Sequence, residues 1–128
     1  MKAIISFLLL AVCASLARGD VFTGEKLNVP FTVHGRLGNY MGYAQMRIWV
    51  VGSTRMLGVE EKTDASEKIA ALFPDSGYFD HWVYGDFSVE PLAPDIKGHK
   101  RPIRILGVRN IVVERISDKA IILTKREL

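Results

Sequence analysis

The chain has 128 residues, 48% hydrophobic and 24% charged, which is the balance of one ordinary folded domain and excludes a disordered or low-complexity segment. The formal net charge is +3, but Lys2 and Arg18 lie in an N-terminal leader, and without them 15 Lys and Arg face 14 Asp and Glu. A domain so close to neutral offers no compositional case for nucleic acid or an anionic membrane, which require a concentrated basic excess.

Residues 1–19 carry the three-part pattern of a secretory signal peptide: Met1-Lys2, the apolar run from Ala3 to Val12, and small residues from Ala14 to Gly19. Cleavage after Gly19 leaves Asp20 as the new terminus, and cleavage after Ala17 also fits the small-residue rule. The apolar stretch ends at Leu16, short of the roughly 20 residues that a bilayer-spanning helix needs. Cys13 is the single cysteine, and Val12 before it argues against a lipid-modified leader. The expected layout is a signal peptide, 1–19, followed by one β-rich domain, 20–128, exported to the periplasm or the medium. After cleavage it has neither a transmembrane segment nor a thiol, so no disulfide or thiolate metal site can hold it.

Beyond the leader, short segments with period-two alternation recur between turn signals, as half-buried strands do. The first covers Pro30–Gly38, with Phe31, Val33 and Leu37 on one face and Thr32, His34 and Arg36 on the other. The second, Ala44–Val51, sets Met46, Ile48 and Val50 against Arg47 and Trp49, and Gly52-Ser53-Thr54 joins it as a hairpin to a third strand, Arg55–Val59. Asp64 and Glu67 form a capping pattern before Ile69, Leu72 and Phe73 at helical spacing, and Pro74 ends the helix. The fourth strand, His81–Glu90, places Val83, Phe87 and Val89 inward and Trp82, Tyr84, Asp86, Ser88 and Glu90 outward. Pro91 and Pro94 break it. A fifth region, Pro102–Val113, carries Ile103, Ile105, Ile111 and Val113, with Gly107 marking a bend or bulge, and Ala120–Leu123 is a terminal edge strand. Three strands, one helix and two or more strands is the order of a small OB-like β-barrel, with a β-sandwich as the alternative.

The residues do not describe an enzyme. The serines lack a glycine-rich nucleophile elbow, and His34, His81 and His99 fall in no triad pattern. No spacing points to a cofactor or a metal; Asp75 and Asp80 around Ser76-Gly77 are better explained as turn formers. Two groups of residues suit binding instead. Alternation gathers Arg36, Arg47, Trp49, Trp82, Tyr84 and Asp86, together with His34, on the polar face of the sheet, where aromatics can stack a planar or sugar ring and arginines can grip an anion. The competing reading pairs Arg36 with Asp86 and uses Trp49 and Trp82 as a second small core. The other group, Lys97, Lys100, Arg101 and Arg104, with Arg109 beyond, is a basic run that would suit a polyanion, although such runs are usually solvated and this one lacks interleaved aromatics, which makes nucleic acid a poor candidate.

The strings VHGRL (Val33–Leu37), RIWVVGSTRMLGV (Arg47–Val59) and YGDFSVEPL (Tyr84–Leu92) resemble a family of small exported bacterial proteins to which no activity is assigned. The resemblance covers Phe31 to Val113 and implies a bacterial source and a compartment beyond the inner membrane, but no catalytic residues. The expectation is an exported, non-enzymatic domain that binds a small ligand, an envelope polymer or a protein; the alternative is a structural or accessory protein of the envelope acting through protein contacts.

Overall fold

The structure is a computed structural model that describes residues 26–40, 46–72 and 80–128. The leader with Cys13, the helix-ending Phe73 and Pro74, and Asp75 lie outside the described residues. Among the described residues, no helix is long and apolar enough to cross a membrane.

The fold is mainly β with one short helix. The strands are β1 (Phe31–Gly38), β2 (Arg47–Val50), β3 (Met56–Glu61), β4 (His81–Pro91), β5 (Arg101–Arg115) and β6 (Ile121–Glu127), with helix α1 (Asp64–Ala70) between β3 and β4. β1 pairs antiparallel with both β2 and β4, β2 pairs with β3, and β5 pairs antiparallel with β4 and parallel with β3. These pairings run β1-β2-β3-β5-β4 and return to β1, a ring of five strands that fits the expected small OB-like barrel. β6 adds to the second half of β5 and is the last strand of the sheet.

Alternation has the physical meaning expected of it. Along β4 every odd-numbered residue from His81 to Pro91 is buried and every even one is partly open. The inward side chains of β1 to β5, among them Leu37, Ile48, Leu57, Phe87, Ile103 and Ile111, form one core that α1 joins through Ala65 and Ile69. Removing this much apolar surface from water is the dominant stabilising term for a thiol-free domain.

The helix is capped one residue before the expected position. Thr63, extended at φ −132°, accepts from the Ser66 amide, and Ser66 Oγ accepts from the Thr63 amide. The Thr63 hydroxyl also donates to the Ile105 carbonyl on β5. An aspartate cannot make that last bond, because an ionised carboxylate only accepts. Asp64 and Glu67 sit instead in the first turn, favoured by the positive end of the helix dipole.

Gly107 does mark a bulge. Ser88 faces Gly107 while Val89 faces Ile105, so Leu106 is the extra residue and points outward, 41% exposed. A second irregularity follows where Tyr84 faces Val112 but Asp86 faces Arg109, and there Asn110 adopts a left-handed φ of 53°. Asparagine tolerates that conformation better than most side chains. This second kink aims the Asn110 side chain at Asp86 on the outer face of β4. β6 also runs further than its sequence pattern suggests, to Glu127, since edge pairing with β5 needs backbone groups and not apolar side chains.

Candidate functional site

Strand register decides which outward side chains meet. Arg36 on β1 lies opposite Trp49 on β2 and Tyr84 on β4, while Asp86 lies opposite His34. The Arg36–Asp86 pair of the competing reading therefore does not form, and the face divides into an aromatic half and a polar half.

In the aromatic half, the Arg36 guanidinium carbon sits 4.3 Å from the Trp82 ring centroid, 4.8 Å from that of Trp49 and 5.3 Å from that of Tyr40. Arg36 Nε donates to the Tyr40 hydroxyl at 2.9 Å, which in turn donates to the Arg36 carbonyl at 2.8 Å. Trp49 Nε1 donates to the Ser53 carbonyl at 2.7 Å, fixing the second indole. Burial raises the Tyr40 phenol above its ordinary range, with the Arg36 guanidinium only partly opposing it, so the hydroxyl stays a neutral donor. A cation held among three rings is worth about 1 to 2 kcal/mol when partly desolvated. Arg36 is thus the centre of a small cluster on the outer face, with Trp82, Trp49 and Tyr40 around its guanidinium.

Trp82 reaches this position because Gly38 has no side chain. A Cβ at Gly38 would fall 2.2 Å from Trp82 Cε3, closer than any real contact. Gly38→Ala is expected to push the indole outward at a cost of about 1 kcal/mol, since a surface ring can swing away. Loss of tryptophan near-ultraviolet dichroism with unchanged far-ultraviolet dichroism would report it; an unchanged near-ultraviolet band would refute the packing.

In the polar half, Asp86 is held from two sides. Its Oδ1 is 3.0 Å from His34 Nδ1, and its Oδ2 accepts from Asn110 Nδ2 at 2.9 Å. A carboxylate can only accept here, so Nδ1 carries an imidazole hydrogen, and Nε2 is the ring nitrogen left without a protein partner among the described residues. The Asn110 amide, and after it the His34 ring, hold the Asp86 carboxyl below its ordinary value near 3.8. Asp86 and Asn110 border a shallow groove of about 620 Å³ lined further by Thr32, Ser88, Arg109 and Glu127; His34 reaches it only through Asp86. Arg109 and Glu127 approach to 3.3 Å, and both side chains are more than half exposed.

The depressed Asp86 value has a sign. A carboxyl whose folded pKa lies below its unfolded one stabilises the fold above the unfolded value, and that contribution disappears as pH falls through the folded value, a window below about pH 4. Asn110→Gly removes the amide while glycine keeps the left-handed backbone. In that variant Asp86 should titrate closer to its ordinary value, which carboxyl-detected NMR measures directly; an unmoved midpoint would remove Asn110 from the account.

Of the other sequence-derived candidates, Arg47 lies at the rim beyond Trp49 and has no ion-pair partner among the described residues. The basic run is not brought together as one exposed patch. Arg101 is 2% exposed and donates to the Ala93 carbonyl, Arg104 donates twice to Glu90, and Lys100 lies 3.5 Å from Glu60. Lys97 stays exposed in the loop before β5. Neighbouring acids from β3 and β4 neutralise this segment, and none of them was adjacent in sequence.

Tyr40, Asn110, Thr32, Ser88 and Glu127 escape sequence reasoning as site residues. Thr32 and Ser88 were on the correct face by alternation and carried no further signal, whereas Asn110 is placed by a bulge that alternation cannot register. Among the described residues, no group of three or more metal-ligating side chains converges. In comparisons with known proteins, no family model, curated protein or solved structure matches this chain.

Proposed function

We propose that the protein is an exported, non-enzymatic binding domain that takes its ligand on the outer face of β1, β2 and β4. The observation that carries this reading is the register, which sets two clusters side by side on one face: Arg36 with its aromatic rings lies one strand step from His34 and Asp86, and Asp86, held by two donors, lines a polar groove. Ligand sites combine apolar walls with a few polar groups fixed in place, and both are present here side by side. Export is supported by the leader pattern of residues 1–19.

Arg47→Ala and Asp86→Ala test the reading. Both side chains are partly open and neither fills the core, so both variants should fold with wild-type melting temperatures to within a few degrees. Each should lose most of the ligand-induced rise in melting temperature seen with a panel of sugars, anions and peptides. Undiminished thermal shifts in both variants would place binding elsewhere.

A second reading, a structural or accessory protein acting through protein contacts, is favoured by β6. It ends the sheet with only β5 beside it among the described residues, which leaves one row of backbone donors and acceptors for a partner strand. Lys125 and Arg126 on that strand are of the kind that discourage indiscriminate pairing. Leu123→Pro would abolish partner pairing at this edge and leave the β1-β2-β4 face intact.

A further inference from the structure

From the donor and acceptor pattern of the groove, we infer that the ligand is a neutral saccharide, whose hydroxyls bind at Asp86, His34 and Asn110 while a ring face rests on the aromatic wall. This rests on the reading of the β1-β2-β4 face given above and adds to it the chemical class.

The hydrogen-bonding inventory favours hydroxyl groups. Each Asp86 oxygen uses one acceptor position on the protein, Oδ1 toward His34 and Oδ2 toward Asn110, and keeps another for a ligand. His34 Nε2 lies on a side chain that is 59% exposed, where it can accept from a hydroxyl when the ring is neutral and donate to one when it is protonated. Asn110 retains its carbonyl oxygen and one amide hydrogen, and the Thr32 and Ser88 hydroxyls do both. A ligand dense in groups that each donate and accept satisfies such a set.

Charge points the same way. Asp86 and Glu127 line the groove with Arg109, which pairs with Glu127 at 3.3 Å, so the groove is net acidic and repels a polyanion. A neutral ligand escapes that cost. The polar groups are also set before any ligand arrives, Asp86 by its two partners and Asn110 by its left-handed backbone, which reduces the ordering cost of binding.

The aromatic neighbour completes the match. Tyr84 precedes Asp86 by two residues on the same face of β4, a step of about 7 Å, and Trp82 lies one step further. That is the span of roughly one to two pyranose rings, so a ring stacked at Tyr84 can present its equatorial hydroxyls to Asp86. The C–H face of a sugar and the face of an aromatic ring are both apolar, and their contact excludes water.

The test is a ¹H–¹⁵N NMR titration of the folded domain with maltotriose, cellotriose and tri-N-acetylchitotriose, with inorganic polyphosphate and spermidine as charged probes. The expected result is that at least one trisaccharide shifts the amides of His34, Asp86 and Asn110, and that Asp86→Ala and Asn110→Gly each weaken this binding by about tenfold or more while the remaining spectrum keeps its dispersion. Groove shifts with polyphosphate or spermidine and none with the sugars would overturn the saccharide assignment and leave the binding face standing. Shifts confined to β6 or another surface would overturn both, as would sugar binding that both variants retain. Silence with every probe would overturn the saccharide assignment.

Discussion

Phe87→Ala should destabilise the domain by about 4 kcal/mol, the usual cost of deleting a fully buried phenylalanine. Phe87 has no exposed surface and lies in the middle of β4, opposite Val33 on β1 and Val108 on β5. Its ring occupies space that Gly35 leaves open: a Cβ at Gly35 would lie 3.4 Å from Phe87 Cδ2 and 2.4 Å from Ile48 Cγ2. Three strands of the ring therefore pack on this one side chain, and no neighbour can swing in to fill the void without leaving its own strand. Domains of this size have roughly 5 to 15 kcal/mol in total, so the variant should unfold at much lower denaturant with a drop in melting temperature of about 15 °C or more. Leu106→Ala is the control, since Leu106 is the outward extra residue of a bulge and should cost no more than about 0.5 kcal/mol. If the two variants melt together, the barrel interior has been placed wrongly.

Gly85→Ala is expected to cost about 3 kcal/mol and, unlike the first change, to damage the polar groove as well. A Cβ at Gly85 would fall 2.6 Å from Val108 Cγ2 and 3.1 Å from the Arg109 carbonyl. The second of these is backbone, which cannot rotate aside. The strand that must yield is the segment of β5 that carries Asn110 to Asp86, so the added methyl should pull the 2.9 Å Asn110–Asp86 hydrogen bond apart. Two readouts follow: lowered stability in urea, and an Asp86 titration that moves back toward its ordinary value. Adding Val108→Ala removes the nearer clash and should recover part of the stability but not the hydrogen bond, because the Arg109 carbonyl remains in the way. A double variant that restores Asp86 fully would show that the side chain and not the backbone sets the bulge.

These two positions also show where strand alternation stops being informative. The inward set of β4, Val83, Phe87 and Val89, is plain from the sequence because a strand has a period of two and one face must leave water. The hairpin at Gly52, the single helix and the bulge at Gly107 are likewise local events, each written in a few adjacent residues. Gly85 and Gly35 read as ordinary strand glycines, and nothing beside them reveals that they face one another across β1 and β4.

The candidate site divides in the same manner. That Arg36, Trp49, Trp82, Tyr84 and Asp86 point away from the core follows from short-range periodicity. Their partners follow from register: Arg36 goes to the aromatic rings and Asp86 to His34 because β1 and β4 align Arg36 with Tyr84, two positions away from the pairing that opposite charges would suggest. The basic run from Lys97 to Arg104 is contiguous in the chain, yet its Lys100 and Arg104 pair with Glu60 and Glu90, 40 and 14 residues earlier. Periodicity is a property of each strand alone, so the chain settles which side chains are inside and which outside. Contact between side chains depends on how strands that are distant in the chain slide and bulge against one another, and that alignment is chosen by the packing of the whole core.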